Sequence, residues 1–324
     1  MAAPRVGKAL LAATLPFETE NPTTSWFHLL STLAVYGACV WLVFWTPLWV
    51  AIPASIVAGL TQLRIFALFH DHLHGALLAK SKPAQWIMYL VGLHVLAPRT
   101  VWKETHDFHH RNNGKLQWTA VGSYLVMTTE QYEAASAAER RDYLRARHPL
   151  TIVFGYVFVM MAGMCIAAFR RSPKRHWGGP LALVIHFAIL GLLVWKFGVT
   201  IAVLALVIPS MVDHMLVAYL FYAQHNFPET RFYTTSEWDY TDAAVNGSSY
   251  MVMGPLMRWF CANLGYHHIH HLNARIPFYR LPEAFAAIEE LQAPHRTSLA
   301  PHDIAACLRL KRWDAANHRM VTND

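Results

Sequence analysis

Two pairs of long apolar runs constrain this chain more than any other feature of its sequence. Residues 26–45 and 47–69 form the first pair, and residues 179–197 and 199–222 form the second. Each run is about long enough to cross a ~30 Å hydrocarbon layer as a helix. The connectors are so short that only tight hairpins can join the runs. The sequence therefore predicts an all-α integral membrane protein with four transmembrane helices in two hairpins.

The composition agrees with a chain that lipid partly covers. Hydrophobic residues make up 55% of the sequence and charged residues only 15%, against roughly 25% charged residues in a typical soluble domain. The net charge of +7 is not gathered in a basic stripe interleaved with aromatic residues. Nucleic acid is therefore not an expected partner.

The positions of lysine and arginine predict the orientation in the membrane. Of 27 such residues, Lys196 alone lies in a predicted outer loop and Arg64 lies inside an apolar run. All the others fall in segments that would face the cytoplasm, which is the side that retains short basic loops. We expect a single domain whose cytoplasmic cap comprises residues 70–148 and 226–324. The expected location is a bacterial inner membrane with the active site on the cytoplasmic side.

A fifth apolar run, residues 149–169, has basic residues on both flanks. Because both flanks favour the same side of the membrane, we predict a re-entrant or interfacial helix. A fifth span is the alternative. A shorter run, residues 86–97, is predicted to be another interfacial helix.

Histidine is the residue type whose distribution departs most from chance. There are twenty histidines, and ten of them lie in three short clusters. The clusters read HDHLHG at residues 70–75, HDFHH at 106–110 and HHIHH at 267–271. On helices, offsets of three and four residues place side chains on one face. The histidines that share a face in this way are His70, His74, His106, His109, His110, His267, His270 and His271.

Eight imidazoles on one side of a membrane are too many for one metal ion, so the pattern predicts two ions. Imidazole suits iron, zinc, copper or nickel, and the spacing does not decide between them. His225, at the cytoplasmic end of the fourth run, is predicted to be a ninth ligand. His72 and His268 fall off the shared faces and are not expected to be ligands.

The three clusters resemble the histidine boxes of the membrane fatty acid desaturases. The third continues as GYHHIHHLNARIPFYRLPEA at residues 265–284, and TTSEWDYTDAAVNGSSY precedes it at residues 234–250. Both stretches are similar to bacterial acyl-lipid desaturases of the omega-6 and omega-3 branch. In the acyl-CoA branch an asparagine lies one helical turn before the ligand that His225 resembles. Here that position is Phe221, so a water-mediated ligand is not expected.

The resemblance implies a di-iron centre that uses O2 and two electrons to introduce a double bond into an acyl chain. It implies a membrane-lipid substrate, an omega-6-like position and an external electron donor, either ferredoxin-like or cytochrome-type. Carried over by position, the iron ligands are His70, His74, His106, His109, His110, His225, His267, His270 and His271.

Acidic residues near the clusters are candidates to accept the second N–H of a metal-bound imidazole. Asp213 and His214 lie within the fourth run, where placing an ionisable group inside the membrane costs free energy. They could line the far end of an acyl tunnel, or they could pair with Arg64 or His186. The acidic candidates near the clusters are Asp71, Glu104, Asp107, Glu237 and Asp239.

Two alternative functions stay open at this point. An acyl, alkane or carotenoid hydroxylase or ketolase would use the same histidine scaffold, because hydrogen abstraction followed by oxygen rebound gives an alcohol. A divalent metal transporter is less favoured, because transporters place their ligands near the bilayer midplane.

Overall fold

The computed structural model of the protein describes residues 4–116 and 124–323. Within those residues, three helical stretches are long and apolar enough to cross a membrane: α2 (Pro22–Trp45), α3 (Leu48–His74) and the continuous stretch Gly178–Ala223. The most apolar part of α3 is 72% buried, whereas that of α2 is 22% buried. Helix α3 is therefore the central helix, and the other two expose most of their apolar surface.

Helix α3 continues beyond the predicted end of the second apolar run. It was expected to end at residue 69, but it extends through His70 to His74 and ends at Gly75, where φ is 81°. Residues 70–74 contain no glycine or proline that would break a helix, and glycine readily adopts this left-handed conformation. The first histidine cluster consequently belongs to the same rigid helix as the second apolar run.

The third apolar stretch is broken at Gly198, where the backbone leaves the helical region with φ 82° and ψ 167°. The rings of His186 and His214 lie 5.6 and 5.7 Å from the ring of Tyr156. On one straight helix these two histidines would be ~42 Å apart. The chain therefore reverses direction at Gly198, at the position where the sequence predicts a turn.

The fifth apolar run is helical but irregular, with a π-helix over Tyr156–Ala167. Before it, the Arg147 guanidinium lies 5.1 Å from the ring of Tyr222. Within its last turn, Cys165 touches the backbone of Gly179. One end of the run thus lies near Tyr222, three residues before His225, and the other lies against the start of α10. The re-entrant or interfacial segment stays a prediction.

Shorter helices surround the ends of the long ones. Helix α4 exposes Trp86 and Leu90, as expected of a helix that lies at an interface. The helices other than α2 and α3 are α1 (Gly7–Thr14), α4 (Lys82–His94), α5 (Arg99–Arg111), α6 (Thr129–Ala134), α7 (Ala137–Ala146), α8 (Pro149–Val153), α9 (Ala168–Arg171), α10 (Gly178–Ala202), α11 (Ile208–Ala223), α12 (Tyr240–Asn246), α13 (Pro255–Phe260), α14 (His267–Leu272), α15 (Leu281–Ala287) and α16 (Pro301–Arg309), with a π-helical turn at Val203–Val207 and 3₁₀ turns at Leu15–Glu18, Phe278–Arg280 and Glu289–Leu291.

The structure is mostly helical, in line with the predicted fold class, and the described residues also include four three-residue strands. β1 (Tyr250–Val252) pairs in parallel with β2 (Arg296–Ser298), and β3 (Arg312–Asp314) pairs antiparallel with β4 (Arg319–Val321). Strands of three residues are too short to show an alternating pattern in the sequence. They fasten the C-terminal part of the chain and leave the helical architecture unchanged.

A layer of buried polar side chains lies between the long helices. The Gln62 amide donates to Asp213 at 3.0 Å, and the Tyr36 hydroxyl lies 3.0 Å from the imidazole of His94. The suggested pairing of Asp213 with Arg64 is wrong. The Arg64 guanidinium instead donates to Thr32, to the Trp259 carbonyl and to His28. Helices surrounded by lipid have no hydrophobic driving force to associate, so polar contacts of this kind help to hold them together.

Candidate metal centre

Four segments bring the predicted histidines to one place. His70 and His74 lie one turn apart at the end of α3, and His225 lies two residues after the end of α11. Helix α5 is amphipathic, and its inner face carries the second cluster. The third cluster forms the short helix α14. Offsets of three and four residues on α5 and α14 direct the imidazoles to one side, as the sequence predicts.

The nine histidines form two groups, each able to hold a metal ion. Within each group the candidate ligand nitrogens all lie within 4.8 Å of one another. The smaller group depends on His225, which the box pattern alone does not include. The larger group is His70, His74, His106, His110 and His270, and the smaller is His109, His225, His267 and His271.

The spacing of the Nε2 atoms fits a metal ion at each centre. His70 Nε2 lies 2.8 Å from His106 Nε2, and His270 Nε2 lies 3.1 Å from His110 Nε2. In the smaller group, His267 Nε2 is 2.9 Å from His225 Nε2. Two nitrogens bound at right angles to one ion at ~2.1 Å would be about 3 Å apart.

The same contacts are unfavourable without a cation. A neutral imidazole has one N–H and one acceptor nitrogen, so a ring of converging Nε2 atoms brings lone pairs together. Burial lowers the pKa of His106 and His271 well below the ordinary value, and neighbouring histidines lower it further. These two imidazoles are therefore neutral near pH 7, which is the form that binds metal.

Two of the imidazoles are oriented by a partner at Nδ1. His70 Nδ1 lies 3.2 Å from Asp71 Oδ1, and the other carboxylate oxygen of Asp71 accepts the backbone N–H of Phe278 at 2.8 Å. His225 Nδ1 lies 2.9 Å from the carbonyl of Gly247. A partner at Nδ1 fixes the ring so that Nε2 faces the centre. Asp71 also ties the first histidine cluster to the segment that follows the third.

The other four acidic candidates have different roles in the structure. Asp107 pairs with a lysine one turn earlier on α5, and Glu104 lies 2.9 Å from the exposed Arg175. Glu237 accepts the backbone N–H of a turn, and Asp239 caps α12. Proximity in sequence identified Asp71 but could not separate it from these surface and capping carboxylates.

His72 and His268 lie outside both groups. His72 Nδ1 lies 2.9 Å from the carbonyl of Leu77, and His268 Nε2 lies 3.1 Å from the carbonyl of Leu291. Both histidines are buried. They hold loops of the cap against the helices that carry the clusters.

Trp102 was not predicted to be part of the site. Phe221 was identified only as the residue at the position where the acyl-CoA branch has an asparagine. The ring of Trp102 stacks on His106 at 5.0 Å, and Phe221 lies edge-on to His106 at 5.5 Å. Trp102 is one helical turn before His106, which is the signal that could have identified it. Phe221 also lines a cavity of about 50 Å³ that reaches His109 and His225. The two rings thus lie against the larger histidine group at His106, and the cavity reaches the smaller group.

Converging imidazoles at the end of apolar helices define a histidine-rich membrane enzyme site that is able to hold metal ions. The sequence model described as fatty acid desaturase matches residues 47–302 of this chain. The chain belongs to the fatty acid desaturase family, and its activity is that of an oxidoreductase. The transporter alternative is not supported.

Characterised relatives agree with this assignment. A fatty acid desaturase of Bacillus subtilis is 27% identical over 83% of this chain and 76% of its own length. The sn-1 oleoyl-lipid 12-desaturase of Picosynechococcus is 23% identical over 83% of this chain and 78% of its own. The sn-1 acyl-lipid omega-3 desaturase (ferredoxin) of Synechocystis is 25% identical over 73% and 66%. The expected resemblance to acyl-lipid omega-6 and omega-3 desaturases is confirmed.

Proposed function

We propose that the nine histidines bind two iron ions and that the chain desaturates an acyl chain with O2. The observation that carries the proposal is the convergence of nine Nε2 atoms into two groups. The five-histidine group would hold one ion and the four-histidine group the other. Fewer histidines in the second group leave more of its coordination sphere open, on the side where the cavity at His109 and His225 lies.

The reaction consumes O2, two electrons, two protons and two hydrogens of the acyl chain, and it yields a carbon–carbon double bond and two waters. The iron pair supplies the oxidising power when it is bound. The protein orients the ligands through Asp71 and Gly247 and excludes water with Trp102 and Phe221. A fixed bend of the chain beside the centre would select one pair of carbons, because geometry near the oxidant controls the rate.

The substrate is a long acyl chain on a membrane lipid, desaturated in the omega-6 manner. Two relatives support this: one is named as an oleoyl-lipid 12-desaturase and another as an acyl-lipid omega-3 desaturase. The apolar helix α3 runs directly into the first histidine cluster, so lipid and metal site would be close.

The chain is a single domain with four crossings of a bacterial inner membrane. The reversal at Gly198 divides the third apolar stretch into two crossings, which gives two hairpins with α2 and α3. Both termini, all histidine clusters and the cap would face the cytoplasm, in agreement with the distribution of lysine and arginine.

The electrons come from a separate acidic carrier of the ferredoxin type, with a cytochrome-type donor as the alternative. One relative carries ferredoxin in its name. The net charge of this chain is +7, and its basic residues concentrate on the side proposed to be cytoplasmic. Opposite charges raise the association rate of such partners.

Expression in a host that makes only saturated and monounsaturated lipids tests the proposal. We expect a new diene in the phospholipid fraction of cells that express the protein. A variant with both His109 and His225 changed to Ala is the inactive control. Hydroxylated product without a diene would contradict the desaturase assignment and favour the hydroxylase. Unsaturation that appears first on the soluble thioester pool would contradict the acyl-lipid assignment.

A further inference from the structure

Arg64 is a buried cation on α3 that lies about two helical turns before Asp71. It is 2% exposed, and it forms no salt bridge with a carboxylate among the residues that the structure describes. An arginine is rarely buried without a charged partner, because removing its charge from water costs free energy. The contacts that compensate this cost indicate what Arg64 does.

The guanidinium of Arg64 makes two sets of contacts. The first is with α2, where Thr32 accepts from Nε at 3.0 Å and His28 Nδ1 lies 3.2 Å from Nη2. In the second set, Nη1 donates to the carbonyl of Trp259. The guanidinium carbon also lies 4.4 Å from the centre of the Trp259 ring and 5.1 Å from that of Phe278. Cations are attracted to aromatic faces, so Arg64 joins two membrane helices to α13 and to the segment that follows α14.

Phe278 is restrained at several points. It is 2% exposed, and the ring of His28 lies edge-on to its ring at 5.0 Å. Asn263 Nδ2 donates to the Phe278 carbonyl at 3.1 Å. Asn263 follows α13, and the Trp259 carbonyl of α13 accepts from Arg64. Arg64 therefore restrains Phe278 directly through its ring and indirectly through the end of α13.

The backbone of Phe278 connects these contacts to the first histidine cluster. Its N–H donates to Asp71 Oδ2 at 2.8 Å, and Asp71 Oδ1 lies 3.2 Å from His70 Nδ1. Asp71 is 1% exposed, so its carboxylate oxygens need donors within the protein. If Phe278 moved, Oδ2 would lose its donor and the carboxylate could rotate away from His70. The orientation of His70 thus depends on Phe278, and the position of Phe278 depends on Arg64.

We propose that Arg64 is a positioning residue for the larger histidine group. Through Phe278 and Asp71 it fixes the ring of His70 so that Nε2 faces the metal ion. The inference rests on the proposed binding of two metal ions, because His70 belongs to only one of the two groups. The effect of Arg64 should therefore be confined to the ion of the larger group.

Metal retention, measured independently of turnover, tests the proposal. The purified full-length protein is dialysed against a chelator, and its iron content is followed with time. In Arg64→Gln we expect one ion to be lost roughly 10–100-fold faster than in wild type and the other at the wild-type rate, because one ligand loses its orientation. The optical spectrum of the oxidised protein should change as it does in Asp71→Asn.

Three outcomes would contradict the proposal. Equal acceleration for both ions in Arg64→Gln would show a general loosening of the fold. Wild-type retention in that variant, with two irons bound, would overturn the role of Arg64 and leave the proposed function intact. Wild-type protein that binds no metal would overturn both.

A conservative variant separates the charge of Arg64 from its hydrogen bonds. Arg64→Lys keeps a cation near the two aromatic rings but loses the planar fork that donates to several partners at once. We expect its rate of iron loss and its optical spectrum to lie between those of wild type and Arg64→Gln. If the lysine and glutamine variants lose iron at the same rate, the cation does not restrain Phe278.

Two further variants identify the contact of Arg64 that matters. Thr32→Val removes an acceptor on α2, whereas Phe278→Leu keeps the backbone N–H and removes the aromatic face. We expect faster loss of one ion in Phe278→Leu and wild-type retention in Thr32→Val. The same rate in both variants would contradict the route through Phe278. Because both variants retain the arginine, they test the proposal even if Arg64→Gln does not fold.

A double-mutant cycle shows whether Arg64 and Asp71 act through one chain of contacts. In Asp71→Asn the charged acceptor beside His70 is already lost, so the further change Arg64→Gln should accelerate iron loss little. If the two single effects multiply in the double variant, Arg64 acts independently of Asp71 and the proposal is wrong.

Discussion

His109 and His225 place their Nε2 atoms 3.1 Å apart although they are separated by 116 residues of sequence. The contact joins α5 to the residues that follow α11, so the smaller histidine group exists only when the second hairpin is docked on the cap. His225 also contacts His267 of α14 at 2.9 Å. Removal of His225 should therefore release the ion proposed for the smaller group and leave the ion of the larger group in place.

We predict that His225→Ala lowers the iron content from two ions per chain towards one and lowers turnover by at least ~100-fold. The smaller group has only four imidazoles to hold its ion, so the loss of one should weaken the binding of that ion. Iron analysis of the purified protein measures the effect. His302→Ala is the matched control, because His302 is exposed and lies outside both groups. Two irons retained in His225→Ala would show that His225 is not a ligand.

We predict that Asp71→Asn weakens iron retention by roughly 10–100-fold. An asparagine keeps the size of the side chain but loses the charged acceptor beside His70 Nδ1. Iron remaining after timed dialysis against a chelator, together with the optical spectrum of the oxidised protein, measures retention. Asp107→Asn is the control, since Asp107 pairs at the surface of α5. The same rate of iron loss in both variants would contradict a positioning role for Asp71.

We predict that His268 makes the fold sensitive to acid. Burial lowers the pKa of His268 from 6.5 to about 4. Between these pH values the unfolded chain binds a proton at this position and the folded protein does not, so stability falls as the pH falls. The loss amounts to at most about 3.4 kcal/mol.

His268→Gln keeps an N–H that can donate to the Leu291 carbonyl and removes the titration. The free energy of unfolding of this variant should fall less between pH 6.5 and pH 4 than that of wild type. Chemical denaturation of the iron-free proteins in the same detergent provides the comparison. If the free energy of unfolding changes with pH in the same way in wild type and variant, His268 is not the source of the acid sensitivity.

We predict that the two hairpin turns face away from the cytoplasm. Single cysteines introduced at Thr46 and Val199 should react with an impermeant reagent added outside intact cells. A cysteine at Lys174, on the basic side, should react only after lysis. The native cysteines are all buried and contribute little background. Labelling of either turn from the cytoplasmic side would contradict the topology.

We predict that reduction by an acidic carrier slows as salt increases. With the carrier limiting, the rate should fall several-fold between ~0.05 and ~0.3 M salt, because screening shortens the range of charge attraction. Stopped-flow measurement of carrier oxidation tests this. A small-molecule reductant is the control, and its rate should change little. Equal salt dependence for both donors would argue against charge-guided docking.

Sequence periodicity and spacing anticipated much of this site. The offsets within residues 106–110 and 267–271 predicted which imidazoles share a face, and they separated His268 from its neighbours. The turn at Gly198 followed from the short connector between two apolar runs that are each about long enough for one crossing. These features are local, so helical geometry is enough to derive them.

Other features depend on contacts between distant segments. Whether Asp71 or Glu104 faces a histidine depends on how α5 packs against its neighbours, which the sequence does not state. The division of nine histidines into groups of five and four is likewise tertiary, because adjacent residues His109 and His110 join different groups. The short strands, such as Arg312–Asp314, depend on pairing with residues that local propensity does not reveal.

The hydrogen bond between Gln62 and Asp213 bears on how the protein is synthesised. An aspartate at the centre of a helix costs about 2.5–3.5 kcal/mol to insert into a bilayer on its own. In the proposed topology, Gln62 lies on α3 and enters the membrane before the ribosome produces α11. We therefore expect the first hairpin to act as the acceptor for the second, so that the later helix is stably released into lipid once it has found that partner. Replacing Gln62 should trap newly made chains with their last hairpin unintegrated, before any iron is bound.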